Sequence, residues 1–198
     1  MGRKGEFEMQ GQEAREEKIV NGVNVTQLFE TIDAIGEQKD IAKFSFKASN
    51  KWSNGAKNQT SVKDFYGACE TQTREEPFVF QKDEPPVLLG EDAGANPVEY
   101  LFAALAGCVT TGLVYHAAAK GIELDEVEST YEGNLDLRGF LGMTDEVRNG
   151  YESITISFRI KSDAPREQLE ELVQIAQDRS PVFDMVSNPV PVRVKLAD

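Results

Sequence analysis

Cys108 is the residue of this sequence whose chemistry and setting best suit a reactive side chain. It falls inside a predicted helix, on the same helical face as Leu101, Leu105 and Gly112, and glycine lets a ligand or another backbone approach closely. A thiolate here would be a nucleophile that oxidants convert to a sulfenic acid. A second interpretation is structural, because unpaired cysteines are often buried and pack as small apolar side chains. The residue types alone leave both interpretations open.

Activation of Cys108 would require a nearby cation. The residue follows Asn96, where the helix is predicted to begin, by about three turns. The stabilising effect of a helix N-terminus on negative charge fades within the first turn. Arginine and lysine also stabilise thiolates, and the sequence offers Arg74, Arg138 and Arg179 as candidates for this partner.

Two other titratable residues of the same predicted helix are candidates for the site. Glu99 would serve as a catalytic carboxylate that orients an activating arginine, but a glutamate three residues after Asn96 is also the pattern of a capping box. His116 follows Cys108 by about two turns and is rotated from it by about 80°. We therefore expect no direct cysteine–histidine pair and interpret His116 as a core or interface histidine.

The remaining residues indicate no cofactor and no metal site. Cys69 lies at the end of a predicted strand and is interpreted as a bystander; whether it pairs with Cys108 in a disulfide depends on geometry. One histidine and two distant cysteines do not provide the ligand spacing of a structural zinc site. The sequence has neither a glycine-rich phosphate loop nor a serine nucleophile elbow.

One long helix positions Cys108. Asn96 followed by Pro97 is typical of a helix start, and Gly121 is typical of a helix end. No charged residue occurs at positions 100–119, so the helix is apolar on all sides and must be covered on all sides. We predict a core helix rather than a membrane span, because Ala, Gly, Thr and His dilute the apolar run and polar elements flank it.

Shorter elements surround this helix in the sequence. Helical spacing predicts an amphipathic helix over residues 25–35, ended by Gly36, and two later helices that start at residues 163–165 and at Ser180. Alternation predicts strands at residues 44–52, 127–135, 154–160 and 190–196. The turn at Asn54-Gly55 predicts a return strand at residues 59–66, and a further strand is predicted at residues 78–81. Hairpins imply antiparallel sheets and an α+β class. One small sheet cannot cover the long helix, so we predict a homodimer with this helix near the interface.

The chain is predicted to have two parts. Residues 1–40 form an N-terminal arm with a short amphipathic helix, mobile from residue 1 to about residue 20, and residues 41–198 form one domain. The formal net charge of −13 disfavours nucleic acid and anionic membranes as partners. The first residues lack the apolar core of a signal peptide, and two cysteines are too few for a secreted disulfide framework. We therefore expect a cytoplasmic protein.

The segment from Asn96 to Cys108, Asn-Pro-Val-Glu-Tyr-Leu-Phe-Ala-Ala-Leu-Ala-Gly-Cys, resembles the OsmC/Ohr family, as do Gly121-Ile-Glu-Leu and Ser180-Pro-Val. The stretches at residues 63–67, 88–92 and 135–142 resemble a longer OsmC-like branch, and the resemblance extends from about residue 44 to residue 196. It implies an intertwined homodimer in which antiparallel sheets enclose two central helices. It also implies a redox protein of the antioxidant stress response, a thiol peroxidase that reduces organic hydroperoxides.

The resemblance assigns roles to individual residues. Cys108 matches the peroxidatic cysteine on the family's central helix. Ser180 stands where the family has its resolving cysteine, so the internal disulfide cannot form. The peroxidase branch has Glu directly after the helix-starting Pro, where this sequence has Val98. Glu99 comes one residue later, which turns its side chain by about 100°.

Two hypotheses about function follow. In the first, the protein is a thiol-dependent reductase of apolar hydroperoxides, with Cys108 and Glu99 as catalytic residues and an external thiol as reductant, because Ser180 cannot resolve the sulfenic acid. In the second, it is a non-enzymatic dimer that binds an apolar small molecule between subunits, as the missing second cysteine and Val98 indicate. An acyl-transfer enzyme acting through Cys108 ranks below both, because no base is positioned for it.

Overall fold

The computed structural model describes residues 17–197 of the chain. The helices of this part are α1 (Val25–Glu37), α2 (Pro97–Lys120), α3 (Leu137–Phe140), α4 (Arg166–Arg179) and α5 (Pro181–Ser187). The strands are β1 (Ile19–Val20), β2 (Val23–Asn24), β3 (Ser45–Phe46), β4 (Ser49–Asn54), β5 (Lys57–Val62), β6 (Phe65–Gly67), β7 (Glu70–Gln72), β8 (Phe78–Lys82), β9 (Glu126–Asn134) and β10 (Ser153–Lys161). Helices combined with antiparallel sheets confirm the predicted α+β class.

The long helix α2 begins and ends where the sequence predicts. Asn96 Oδ1 accepts a hydrogen bond from the backbone N–H of Glu99 at 2.9 Å, and Glu99 Oε2 accepts one from the N–H of Asn96 at 2.8 Å. Both halves of the capping box are therefore formed. At the other end, Gly121 has a φ of +70°, a left-handed conformation that favours glycine. These two ends fix which residues share a helical face with Cys108.

The core lies where α2 packs against α4 and the sheet of β9 and β10. Partly buried side chains of that sheet, such as Val127 and Phe158, close the cluster. Gly112 lies at the contact between the helices, where an added Cβ would be 3.9 Å from Ala176 Cα. The fully buried members of the core are Val109, Leu113, Ala117, Leu172 and Ala176.

The strands form antiparallel sheets, and burial alternates residue by residue along β9 and β10 as predicted. β9 and β10 pair along their whole length, from Glu126 opposite Lys161 to Asn134 opposite Ser153. Two three-stranded sheets have the orders β3-β6-β7 and β4-β5-β8. The predicted turn is confirmed, although its two turn residues are Gly55, with a φ of +54°, and Ala56.

The strand predicted at residues 59–66 is divided in the structure. β5 ends at Val62 and pairs in one sheet, whereas β6 starts at Phe65 and pairs in the other. Between them, the Asp64 carboxylate accepts a hydrogen bond from the backbone N–H of Arg74 at 3.2 Å. The strand is predicted as the return strand after the turn at Asn54-Gly55, and that turn does not reveal that the chain later changes sheets.

The N-terminal arm is anchored from β1 onward. Residues 1–16, for which mobility is predicted, lie outside the described residues. Val20 packs against Val25 and Ala118. The amide of Asn21 donates to Ile122 O at 2.8 Å and accepts from the N–H of Leu124 at 2.9 Å. Mobility to about residue 20 is therefore wrong for β1, because this short ribbon is held against the end of α2.

α1 extends slightly further than predicted. The helix includes Gly36 and ends at Glu37, with Gln38 as its C-cap. A glycine ends a helix when it adopts a left-handed conformation. Gly36 does not, as its φ is not positive, so the helix continues through it.

The final predicted strand, residues 190–196, is wrong for the single chain. No strand follows α5 within the described residues. The apolar side chains of this segment are exposed, with Val194 at 94% and Leu196 at 99% of full exposure. A strand requires a neighbouring edge for its backbone hydrogen bonds, and the single chain brings no edge to this segment. The alternation therefore predicts a β-strand for which the single chain provides no neighbouring strand.

One side of α2 remains uncovered. By length and composition alone, this helix would also pass for a membrane span, but its other side packs as a core helix against α4. A Cβ added to Gly107 would have nothing within 4 Å. We call the uncovered side the small-residue stripe, and it consists of Ala103, Ala104, Gly107 and Thr111. The larger, exposed Tyr115 follows at its C-terminal end.

Candidate functional site

An open groove of about 610 Å³ runs beside the first half of α2. Its volume falls in the range of pockets that bind small molecules, about 300–1,000 Å³. Three elements bring apolar walls together here, because α2, β10 and α5 each turn an apolar face inward. The apolar side chains that line it include Leu101, Leu105, Ile154, Ile156, Phe183 and Val186.

The segment before β10 closes one end of the groove. The Tyr151 ring stacks on Phe102 with centroids 4.7 Å apart, and its hydroxyl donates to Val98 O at 3.3 Å. Burial, and then the charge of Glu99, raise the pKa of Tyr151 above its ordinary value. The phenol therefore stays protonated at neutral pH and keeps its donor role. This contact fixes residues 150–152 against the first turns of α2.

Cys108 lies one turn beyond the groove on the same helical face. Leu105, which lines the groove, precedes it by three residues, and residues three and four apart are neighbours on a helix surface. The Cys108 side chain is half-buried, whereas Gly107 beside it belongs to the exposed small-residue stripe. The thiol is therefore placed between the groove and the uncovered side of α2. It is a free thiol, as is the exposed Cys69.

Glu99 has a structural role in the cap of α2. Its carboxylate accepts the N–H of Asn96 in the capping box. Nine residues of helix separate it from Cys108, which corresponds to about two and a half turns, so the two side chains leave α2 on opposite sides. The structure does not bring Glu99 and Cys108 of one chain together.

None of the three arginines that the sequence suggests as thiolate partners lines the groove. Arg138 Nε donates to Asp136 Oδ2 at 2.9 Å, and this guanidinium holds the pKa of Asp136 below its ordinary value. The guanidinium of Arg74 lies over the rings of Phe65 and Phe78, 4.9 and 5.1 Å from their centroids. Arg179 is exposed at the end of α4.

An arginine that the sequence did not single out lines the groove. Arg148, in the loop before β10, shares the groove with Leu101 and Leu105. Within residues 17–197, no carboxylate lies within ion-pairing distance of it. The sequence gives little signal for this placement, because residues 138–150 have no regular period. The nearest hint is Gly150, three residues before β10, because glycine is typical of loops.

A sequence profile of the family described as OsmC-like protein matches residues 90–195, more than half of the chain. The chain belongs to the OsmC-like family. The matched region includes α2 and its cysteine, the groove and α5. No curated protein sequence matches the chain.

Solved structures of OsmC-like proteins share this fold at low sequence identity. An OsmC-like protein from Mycoplasma pneumoniae is 14% identical with a TM-score of 0.56, over 73% of this chain and 89% of that one. An organic hydroperoxide resistance protein OsmC from Legionella pneumophila is 19% identical with a TM-score of 0.53, over 73% and 90%. An OsmC-like protein of unknown function from Vibrio cholerae is 12% identical with a TM-score of 0.55, over 71% and 92%. At these identities the likeness establishes the fold.

Ser180, which stands at the expected second-cysteine position of the OsmC-like pattern, is a helix cap. Its side chain is only 3% exposed, and its hydroxyl oxygen accepts the backbone N–H of Phe183 at 3.2 Å. Pro181 then starts α5. This arrangement confirms the predicted helix at residue 180 and gives the serine a role that needs no chemistry.

Neither His116 nor Cys69 joins the groove. His116 is half-buried on α2, and Cys69 is exposed at the turn between β6 and β7, where Gln38 Nε2 donates to its sulfur at 3.7 Å. Between residues 17 and 197, no three histidine, cysteine or acidic side chains are grouped to hold a metal ion. Arg148 and Tyr151 line the groove, and Cys108 lies about one turn beyond Leu105, which also lines it.

A buried carboxylate organises the loop that leads into α2. Asp83 is 1% exposed, and its Oδ2 accepts the N–H groups of Glu91 at 3.0 Å and Ala93 at 3.1 Å. Burial alone would raise the pKa of Asp83, but these bonds, with Glu84 N–H and the nearby Lys57 charge, hold it below its ordinary value. An ionised carboxylate thus anchors the loop, whose tip exposes Val87 and Leu89 beside Phe140.

Proposed function

We propose that this OsmC-like protein is a thiol-dependent reductase of organic hydroperoxides in which Cys108 is the reacting residue. The observation that carries the proposal is the position of Cys108, a free, half-buried thiol on the face of α2 that continues from an apolar groove. An apolar groove favours hydroperoxides with an organic substituent over hydrogen peroxide. Burial of the apolar substituent in the groove contributes favourably to the binding free energy, and hydrogen peroxide has no such substituent. The name of the Legionella pneumophila relative, an organic hydroperoxide resistance protein, supports the same substrate class.

The proposed reaction has two stages. The Cys108 thiolate attacks the distal oxygen of the hydroperoxide, the O–O bond breaks, and the alkoxide takes a proton from water and leaves as the alcohol. Cys108 is thereby oxidised to a sulfenic acid. An external thiol then condenses with the sulfenic acid to give a mixed disulfide and water, and a second thiol releases reduced Cys108 and an external disulfide.

An external reductant is proposed because the chain offers no second thiol nearby. Ser180 caps α5 and cannot form a disulfide. Cys69 lies in a turn of a different sheet, with its sulfur near Gln38. The catalytic role of Glu99 stays a prediction and is not part of the proposed reaction, because its carboxylate is held in the helix cap.

We further propose that the working form is a homodimer in which a second copy covers the small-residue stripe. The members of this family are soluble proteins, and an uncovered apolar helix side is unstable in water. Small residues let two helices approach closely, which increases their packing contacts. The stripe faces away from the core formed with α4, so covering it leaves the fold of each chain unchanged. We expect this dimer in the cytoplasm.

The reductase proposal is tested with two matched cysteine variants. Purified protein is exposed to cumene hydroperoxide with excess dithiothreitol, and loss of the hydroperoxide is followed with a trap for sulfenic acid present in a parallel sample. We expect Cys108→Ser to abolish turnover and trapping, and Cys69→Ser to leave both unchanged. Turnover that persists in Cys108→Ser would overturn the reductase proposal and favour a dimer that only binds an apolar molecule.

A further inference from the structure

The groove beside α2 contains one feature that reduction of a neutral hydroperoxide does not require. Arg148 brings a positive charge to walls that are otherwise largely apolar. A guanidinium offers a planar pair of donors that matches a carboxylate, and such bidentate pairs are among the stronger hydrogen bonds. An apolar groove with one cationic group fits a molecule with one anionic group and an apolar body.

Arg148, Arg179 and Arg193 are the arginines of residues 17–197 that form no ion pair and no ring contact, and Arg148 is the one of them that lines the groove. Arg138, Arg159 and Arg166 are each paired with a carboxylate, and Arg74 lies over two aromatic rings. In a chain with a net charge of −13, a guanidinium without a carboxylate beside it in an apolar groove is a local exception. It is the group of the groove that can attract an anion against the overall negative charge.

The position of Arg148 indicates how a ligand would be oriented along the groove. The bond from the Tyr151 hydroxyl to Val98 O holds the adjacent segment at the first turn of α2. Leu101 and Leu105 continue the groove toward Cys108, and the seven residues from Leu101 to Cys108 span about 10 Å along the helix axis. A ligand whose charged end lies at Arg148 would therefore extend its apolar chain toward the thiol.

We propose that this groove binds medium-chain alkyl carboxylates, with Arg148 holding the carboxylate and the chain lying along Leu101 and Leu105. The proposal also implies that acidic hydroperoxides are preferred over neutral ones as substrates, and this part rests on the proposed reductase activity. As a statement about binding, the proposal stands without that activity. In this proposal Arg148 determines which ligands the groove binds, and Cys108 remains the reacting residue.

Glu152 provides an internal test of the electrostatics. Its carboxylate lines the same groove and lies beyond ion-pairing distance of Arg148. A negative charge there opposes an anionic ligand, so Glu152→Gln should raise the affinity for a carboxylate. The same substitution should leave the affinity for a neutral ligand of equal length unchanged.

The experiment measures binding of decanoate and of decanol, below their micelle or solubility limits, by isothermal titration calorimetry on the full chain. We expect Arg148→Gln to weaken decanoate binding by about tenfold, the value of one charged hydrogen-bonding pair at a partly exposed site, and to leave decanol unchanged. Arg159→Gln, which removes the same charge on the other side of β10, is the matched control and should bind decanoate as the wild type does. Equal decanoate affinity in Arg148→Gln and wild type, or equal binding of decanoate and decanol by the wild type, would overturn the proposal.

A second measurement separates this inference from the reductase proposal. The ratio of kcat/KM for a terminal hydroperoxide of decanoate to that for its methyl ester should exceed one in the wild type and fall to about one in Arg148→Gln. Loss of turnover in Cys108→Ser with decanoate binding intact supports both proposals. Decanoate binding in a wild type without any hydroperoxide turnover would overturn the reductase proposal and retain the binding site. Turnover without preference for the acid would retain the reductase and overturn the inference.

Discussion

Glu99 and Cys108 lie on opposite sides of α2, separated by about two and a half helical turns. The Glu99 carboxylate is held by the N–H of Asn96 at 2.8 Å, whereas Cys108 is a helix-surface neighbour of Leu105, which lines the groove. The position of the glutamate one residue after Val98 determines this outcome, because Val98 and not Glu99 lines the groove at the start of α2. A carboxylate one position earlier would point toward the groove.

Replacement of Glu99 separates its cap from its predicted catalytic role. Gln keeps an acceptor for the Asn96 N–H, as a capping box allows, whereas Ala removes it and should lower the free energy of unfolding by about 1 kcal/mol. We expect Glu99→Gln to keep both its melting temperature and its hydroperoxide turnover. The measurements are thermal unfolding by circular dichroism and kcat/KM with cumene hydroperoxide.

The Ala variant is the control for the Glu99 prediction. Glu99→Ala should lose stability and keep kcat/KM at a temperature where it is folded. The opposite result would be a loss of more than about tenfold in kcat/KM for Glu99→Gln at an unchanged melting temperature. Such a loss corresponds to about 1.4 kcal/mol of activation free energy and would establish the predicted catalytic role.

The parts of the fold that sequence reasoning predicted are those governed by local signals. The capping pattern of Asn96 and Glu99 placed the start of α2, and Gly121 placed its end. Strict alternation placed β9 and β10 within one residue at each end. These signals involve neighbours in sequence, so they need no knowledge of distant contacts.

The parts that were missed depend on partners far away in the chain or outside it. Asn21 anchors the N-terminal ribbon through Ile122 and Leu124, a contact that no local pattern announces. The segment at residues 190–196 alternates as a strand but has no edge within its own chain. For the site, helical periodicity placed Cys108 on a face with Leu101 and Leu105. Arg148 was missed because it belongs to an irregular loop whose path is set by tertiary packing.

The proposed dimer predicts a specific effect at Gly107. A side chain there meets nothing in the single chain, and replacing glycine by leucine within a helix should stabilise an isolated chain by about 0.5–1 kcal/mol. If a second helix packs on the small-residue stripe, Leu at this position instead blocks its approach. We expect Gly107→Leu to shift the protein from dimer to monomer in sedimentation velocity.

Gly36 offers the matched control for the dimer prediction. It also lies inside a helix, and an added Cβ there meets nothing within 4 Å, but it is not part of the stripe. Gly36→Leu should therefore sediment as the wild type does. A monomeric wild type, or a Gly107→Leu variant that stays dimeric with unchanged stability, would contradict the proposed interface.

The buried carboxylate of Asp83 predicts how stability responds to acid. Burial raises its pKa, but the N–H groups of Ala93, Glu84 and Glu91 outweigh it, so the folded pKa is below the ordinary value of 3.8. A depressed carboxyl pKa means that the unfolded chain binds more protons near that pH. The contribution of Asp83 to stability is therefore fully present above the unfolded pKa and is lost as the pH falls through the folded pKa.

Comparison of the wild type with Asp83→Asn isolates this contribution from the other carboxylates. We expect the variant to have the lower melting temperature at pH 7, because an amide accepts the N–H groups of Glu91 and Ala93 less strongly than a carboxylate does. The difference in melting temperature should then shrink as the pH is lowered from about 5 to below 3.8, as Asp83 of the wild type becomes protonated. Since Asp83 anchors the loop that leads into α2, a difference that stays constant over this range would show that the loop does not depend on the charge.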